Sequence, residues 1–176
     1  SKEYGDTIQE VIEAGFEVHK TVEMLLDSDS SVGISKSIGL GLIGFADAIK
    51  ELKPNALFIL GDRFELLSAA IAAMNERIPI IHAHGGEATE GLIDEAIRHC
   101  LTKLSAYHFT ATEAYSRKVI QLGEQPNRVF NVGAFGLENL NNTDFISKRE
   151  LENKLGLRFR DKNLMVTFHP VTLDGE

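Results

Sequence analysis

Residues 82–91 read HAHGGEATEG, setting His82, His84, Glu87, Glu90 and three glycines within ten positions. Side chains spaced this way could grip a cation, move protons or line a phosphate site. On an extended segment His82 and His84 project to one side, as a divalent ion would require. A metal site needs further ligands at a recognisable spacing, and Glu87, Asp94 and His99 form no such pattern, so no metal is expected. Proton transfer is better served, because imidazole titrates near neutrality and Glu87 supplies a neighbouring carboxylate. Gly85, Gly86 and Gly91 allow the backbone to approach a ligand closely or to take positive φ.

Two further groups join this loop. Asp62 follows an apolar run by one glycine and faces a helix start, where amides and the dipole favour anions. Arg63 beside it is a fixed cation suited to phosphate or carboxylate. Asp94 and Arg98 lie four apart on one helix face. The plainer readings are that Asp62 caps a helix and that Asp94 and Arg98 form an ordinary helical pair. Convergence with the histidine loop favours chemistry over either. His99, one residue past Arg98, points to another side and is read as having a partner within the fold.

The elements that must position these groups alternate in type. Residues 16–24 are read as a strand, and 35–52 as a helix on the spacing of Ile38, Leu42, Phe45, Ile49 and Leu52. Strands follow at 56–60, 78–82, 107–110 and 128–132, separated by helices at 64–75, 92–103 and 112–122. Apolar strands each followed by a helix give an α/β fold, a Rossmann-like parallel sheet with helices on both faces. In such a sheet ligands bind outside the carboxyl ends of the strands. The loops 61–63, 82–91, 110–113 and 133–136 all fall there.

GLGLIG at 39–44 matches the GxGxxG spelling of a dinucleotide loop, but no strand precedes it and the helical stripe runs through it. These glycines are read as close helix packing, and no nicotinamide cofactor is expected. Past Gly136 the texture changes: 139–144 is polar, 147–155 is a charged helix, and 163–168 begins another strand. A boundary near 140–147 divides the chain into residues 1–142, one Rossmann-like domain lacking its first strand and helix, and 143–176, a linker and the start of a second.

The 176 residues are 43% hydrophobic and 25% charged, ordinary globular composition that excludes disorder. A net charge of −8 argues against nucleic acid or an anionic membrane as partner. The apolar runs 56–60 and 66–74 fall short of a bilayer span, so no membrane segment is expected. The single cysteine, Cys100, is read as a small buried apolar group; it excludes an internal disulfide and suits a reducing, cytoplasmic compartment. The first residue is serine, and the chain reads as a piece of a longer protein.

The wording of the motifs goes further. GDRFE at 61–65, HAHGGEATEG at 82–91 and IDEAIRHCLTKLS at 93–105 closely resemble the hydrolysing UDP-N-acetylglucosamine 2-epimerases of bacterial sialic acid biosynthesis. NVGAFGLENL at 131–140 and VTFHPVTLD at 166–174 resemble the same family, in order. The resemblance implies a glycosyltransferase-B type architecture, two Rossmann-like domains with the site between them, and a homodimer or homotetramer. It implies conversion of UDP-GlcNAc to UDP and N-acetylmannosamine with no cofactor, by anti elimination of UDP and syn hydration of the resulting glycal.

Residue by residue, the resemblance matches Asp62 and Asp94 to catalytic carboxylates and Arg63 to a phosphate-contacting arginine. It matches His169, in the HP motif, to a histidine near the reacting sugar or diphosphate. His82, Gly85, Gly86 and Arg98 are expected to line the substrate site. Some relatives carry a catalytic glutamate two residues after the first histidine; that position is His84 here, and Glu87 is the nearest carboxylate that could replace it. The same chemistry on a UDP-2,4-diacetamido-2,4,6-trideoxy sugar, the non-hydrolysing epimerase reaction, and binding without catalysis are the alternatives. A metal-dependent hydrolase using His82 and His84 is a further rival. The 176 residues alone are expected to be inactive.

Overall fold

The computed structural model describes residues 7–28, 30–89, 92–141 and 143–167. The elements run α1 (Thr7–Glu13), α2 (Ser31–Leu52), β1 (Leu57–Leu60), α3 (Phe64–Asn75), β2 (Ile80–Ala83) and α4 (Ile93–Leu104). They continue β3 (Tyr107–Thr110), α5 (Glu113–Gln121), β4 (Val129–Asn131), α6 (Gly136–Asn141) and α7 (Lys148–Leu155). The four strands form one parallel sheet in the order β1-β2-β3-β4. Each parallel pair is joined through a helix, as the sequence alternation requires.

The register settles which side chains share a face. Ile59, His82 and His108 are aligned across β1, β2 and β3, while Leu60, Ala83 and Phe109 are aligned on the other face. The first face meets α3, α4 and α5, and the core forms there from Ile59, Ala70, Ala73, Ile80, Ile97 and Leu101. Alanine dominates the buried side of α3, at 69, 70, 72 and 73, and lets that helix lie close to both the sheet and α2. On the opposite face Phe58, Leu60, Tyr107 and Phe130 are exposed. The α/β fold and its flanking helices follow the expectation; the helical cover lies on one face among the described residues.

The glycines of the GLGLIG stretch sit inside α2 and serve packing. A Cβ on Gly41 would meet Met24 Sδ at 2.9 Å and Ser68 Oγ at 2.9 Å, and one on Gly44 would meet Val22 Cγ1 at 2.5 Å. Ser68 Oγ donates to the Ile38 carbonyl at 2.8 Å, fastening α3 to α2. The helix begins four residues earlier than its apolar stripe suggests, because Ser30 caps it by accepting from Gly33 N at 3.1 Å. Counted from that cap, α2 is long and apolar enough to cross a membrane by length and composition, with a mean hydropathy of 1.4 over its best window. The shorter runs read from sequence missed it.

Other expectations need correction. Residues 16–24 are not a strand, since they pair with no other segment among the described residues. Residues 163–167 likewise carry no strand, and Leu164, Met165 and Val166 stand 84–96% exposed. An extended segment becomes a strand only with a ladder partner. Cys100 is exposed, lying on the outer side of α4. The charged helix α7 forms as expected, with a capping box between Ser147 and Glu150 and an end at Gly156 in the left-handed region.

Candidate active site

The loop after β1 is the first wall of the site. Gly61 leaves the strand with φ +90, a conformation that suits glycine, and turns Asp62 out of the sheet. Arg63 is the N-cap residue of α3 and makes no side-chain capping bond, so Asp62 is not a helix cap. The Arg63 guanidinium is 73% exposed and forks onto Glu65, with Nη2 to Oε1 at 3.0 Å and Nε to Oε2 at 3.2 Å. The Glu65 hydrogen bond, with the charges of Glu65, Asp94 and Asp62 behind it, holds Arg63 firmly protonated and outweighs partial burial. Its exposure lets an anion approach the side of the guanidinium turned away from Glu65.

The second wall is the loop after β2. His84 N donates to the Phe109 carbonyl at 2.8 Å, and the residue then takes φ +66. Histidine is uncommon there, and such strain persists where the surroundings impose it. The turn brings His84 Nδ1 within 2.7 Å of Glu87 Oε1, with both side chains partly exposed. Phe135, in the loop after β4, lies edge-on to the His84 ring at 5.4 Å and stacks on Phe58 at 6.3 Å. The imidazole is thus fixed from two sides. The alternatives His84 and Glu87 form one hydrogen-bonded pair.

His82 is placed differently from expectation. It is fully buried, and its Nε2–H donates to the Gly61 carbonyl at 2.8 Å. A carbonyl only accepts, so Nε2 carries the proton and Nδ1 is bare, facing Thr102 Oγ1 at 3.4 Å. Burial, reinforced by His108 and Arg98, drives its pKa down to about 4 against the Gly61 hydrogen bond and Asp62. A ring buried in this way supports the Asp62 loop from behind and does not line a ligand surface. His82 and His84 also have separate partners, because the positive φ of His84 breaks the extended geometry that would have aligned them. No group of three or more metal-ligating side chains occurs among the described residues.

Gly86 takes the positive φ expected of it, but neither Gly85 nor Gly86 lines an open surface. Both are buried: a Cβ on Gly85 would press on Thr102 Oγ1 at 3.2 Å and His82 Nδ1 at 3.3 Å. Gly86, at φ +81, would drive a Cβ into the Tyr115 carbonyl and to 3.0 Å from Val119 Cγ2. These glycines let the loop pack on α4 and α5. Gly91 and His169 lie outside the described residues.

The third wall is α4. Asp94, in its first turn and half-buried, makes no hydrogen bond or ion pair among the described residues. It does not pair with Arg98. That guanidinium is 3% exposed and forms an ion pair with Asp62, while donating to the Glu87 carbonyl at 2.8 Å and Thr89 Oγ1 at 2.9 Å. An Arg98 so committed is not placed to line the substrate surface. His99 pairs with Glu95 at 3.5 Å, as its separate direction suggested. Thr89, Thr102 and Phe135 also belong to the site, and of these only Thr102, four residues after Arg98 on one helix face, has a spacing that signals it in the sequence.

Three carboxylates, Asp62, Glu87 and Asp94, and one imidazole, His84, therefore occupy the carboxyl edge of the sheet with an exposed arginine beside them. A family profile described as UDP-N-acetylglucosamine 2-epimerase matches residues 1–176. The chain is 40% identical over 174 residues to the GDP/UDP-N,N'-diacetylbacillosamine 2-epimerase (hydrolyzing) of Campylobacter jejuni, covering 99% of this chain and 45% of that protein. It is 42% identical over 173 residues to polysialic acid biosynthesis protein P7 of Escherichia coli, covering 98% and 44%. The chain thus spans less than half the length of these relatives. The fold superposes on the crystal structure of Neisseria meningitidis UDP-GlcNAc 2-epimerase bound to UDP-GlcNAc with a TM-score of 0.68 at 20% identity, covering 89% of this chain and 44% of that one.

Proposed function

Since the chain belongs to the UDP-N-acetylglucosamine 2-epimerase family, we propose that the whole protein is a hydrolysing 2-epimerase converting UDP-GlcNAc to UDP and N-acetylmannosamine. The observation that carries this reading is the hydrogen-bonded His84–Glu87 pair in the loop after β2, whose Glu87 carbonyl and the Asp62 carboxylate of the loop after β1 are both held by Arg98. A base takes the proton from C2 as the C1–O bond breaks, the electron pair leaves on the UDP phosphate oxygen, and a 2-acetamidoglucal remains. Water then adds across the double bond, hydroxyl to C1 and a proton to the opposite face of C2. Each step needs a proton donor or acceptor at a defined atom, which is the work such side chains perform. The exposed Arg63 is assigned to the diphosphate.

No cofactor is assigned to the reaction. Residues 1–142 form the first Rossmann-like domain in this reading, with 143–176 leading into a second. The complete cytoplasmic protein works as a homodimer or homotetramer, and the 176-residue chain alone does not turn over. The second reading is the same chemistry on a UDP-2,4-diacetamido-2,4,6-trideoxy sugar, favoured by the name of the 40% identical relative.

Both readings are tested by giving the full-length protein each sugar nucleotide in parallel with EDTA present, and following UDP release and product stereochemistry by NMR. Turnover of UDP-GlcNAc to free N-acetylmannosamine is expected. Retention of UDP on the product, or loss of turnover on chelation, would overturn hydrolytic, metal-independent epimerisation.

A further inference from the structure

The two arginines of the site stand in opposite environments. Arg63 is largely exposed, whereas Arg98 is among the most buried charged groups described, its side chain 3% exposed. A buried guanidinium is tolerated only when its charge and its donors are met. Those of Arg98 are met by two different loops: Asp62 from the loop after β1, and the Glu87 carbonyl and Thr89 hydroxyl from the loop after β2. One planar fork therefore spans the loops that carry the proposed proton-transfer groups.

We infer that Arg98 is a positioning residue, which fixes the Asp62 loop and the Glu87 loop in one relationship to each other and leaves the diphosphate to Arg63. The inference rests on the epimerase reading above. The contacts behind Arg98 extend the argument. Its own carbonyl accepts from Thr102 Oγ1 at 3.0 Å, Thr102 faces His82, and His82 holds the Gly61 carbonyl. Gly61–Asp62 is thereby held at its backbone by β2 and at its side chain by α4. Asp94 sits on the same helix, so all three carboxylates are referred to one rigid element. To take a phosphate instead, Arg98 would have to release Asp62 and both contacts of the second loop. The donors of a guanidinium are fixed in angle, and a lysine ammonium cannot meet three acceptors on two loops in the same way.

The test uses full-length protein carrying Arg98→Lys, Asp62→Asn, both together, and Thr89→Val. Misplacing a reacting group by about 1 Å can cost about a hundredfold in rate. Arg98→Lys is therefore expected to lower kcat by about a hundredfold while KM and calorimetric UDP affinity stay within about threefold. The double variant is expected to fall less than about tenfold below the worse single variant, because coupled residues are not additive. Thr89→Val removes one arm without the buried charge and is expected to lower kcat by about fivefold, the loss of one hydrogen bond. A tenfold loss of UDP affinity in Arg98→Lys with kcat retained would make it a phosphate ligand and overturn the inference, as would fully multiplicative losses. Hydrogen exchange separates this outcome from failure of the epimerase reading. Even if the wild type turns over neither sugar nucleotide, the amides of residues 84–89 must exchange faster in Arg98→Lys, and equal rates would overturn the positioning role.

Discussion

His84 Nδ1 and Glu87 Oε1 lie 2.7 Å apart across a turn in which His84 holds φ +66, so the imidazole and the carboxylate share one hydrogen bond. The residue order left either group as the candidate base, and the fold places the two in direct contact. The two groups form one hydrogen-bonded pair, with the Phe135 ring at 5.4 Å and the left-handed backbone setting its direction.

Glu87→Gln keeps the shape of the pair and removes its basicity. A loss of about a hundredfold or more in kcat is expected, the range of a general acid or base. His84→Asn suits the same backbone, because asparagine tolerates the left-handed region, and should cost about tenfold through loss of one hydrogen bond to the carboxylate. Steady-state kinetics on full-length protein decide this. A larger loss in His84→Asn than in Glu87→Gln would reverse the roles.

Asp62→Asn and Asp94→Asn should each lower kcat by at least about a hundredfold if both carboxylates transfer protons. Asp94 is the cleaner case, because it carries no protein partner among the described residues. Near-normal turnover in Asp94→Asn, measured by UDP release, would remove it from the mechanism.

His82 should remain neutral in the folded protein down to about pH 4. Its folded pKa lies below that of an unfolded histidine, about 6.5. Between those values the unfolded chain binds a proton that the folded one refuses. Stability from this group is therefore full above about pH 6.5 and falls as pH drops towards 4, by on the order of 3 kcal/mol. Burial is the main cause, His108 and Arg98 add to it, and Asp62 opposes it. NMR titration of the His82 ring reads the pKa directly, and urea midpoints compared between wild type and His82→Gln read the stability slope. A ring titrating near 6.5 would contradict the buried placement.

Two glycine substitutions should act in opposite directions. Gly86→Ala combines φ +81 with a clash against the Tyr115 carbonyl and should destabilise by about 2–4 kcal/mol. Gly39→Ala lies on the exposed side of α2 with nothing within 4 Å of the added Cβ, and should stabilise by about 0.5–1 kcal/mol through helix propensity. Denaturant midpoints check both; equal shifts would show that the loop packing against α5 is looser than its geometry.

Local pattern carried much of the fold. The helix at 64–75 and the strand at 107–110 were read with the bounds they have, because apolar spacing and β-branched or aromatic content are properties of neighbours in sequence. The placing of 61–63 and 82–91 on one edge followed from parallel topology alone. Where an element depends on something distant, local pattern does not suffice: residues 16–24 have strand-like composition but no ladder partner among the described residues.

The sequence by itself determined an α/β chain with acidic and imidazole groups gathered at the carboxyl ends of its strands, because period and strand order suffice for that. Tertiary structure decided which of those groups face outward. Arg98 is bound to Asp62, thirty-six positions away, where helical spacing offered Asp94. His82 turns inward to Gly61, and His84 turns to Glu87 through a left-handed backbone. The physical reason is common to all three: a buried charge or a ring N–H takes whichever acceptor the packed helices and strands bring within hydrogen-bond reach, and that distance is set by the fold.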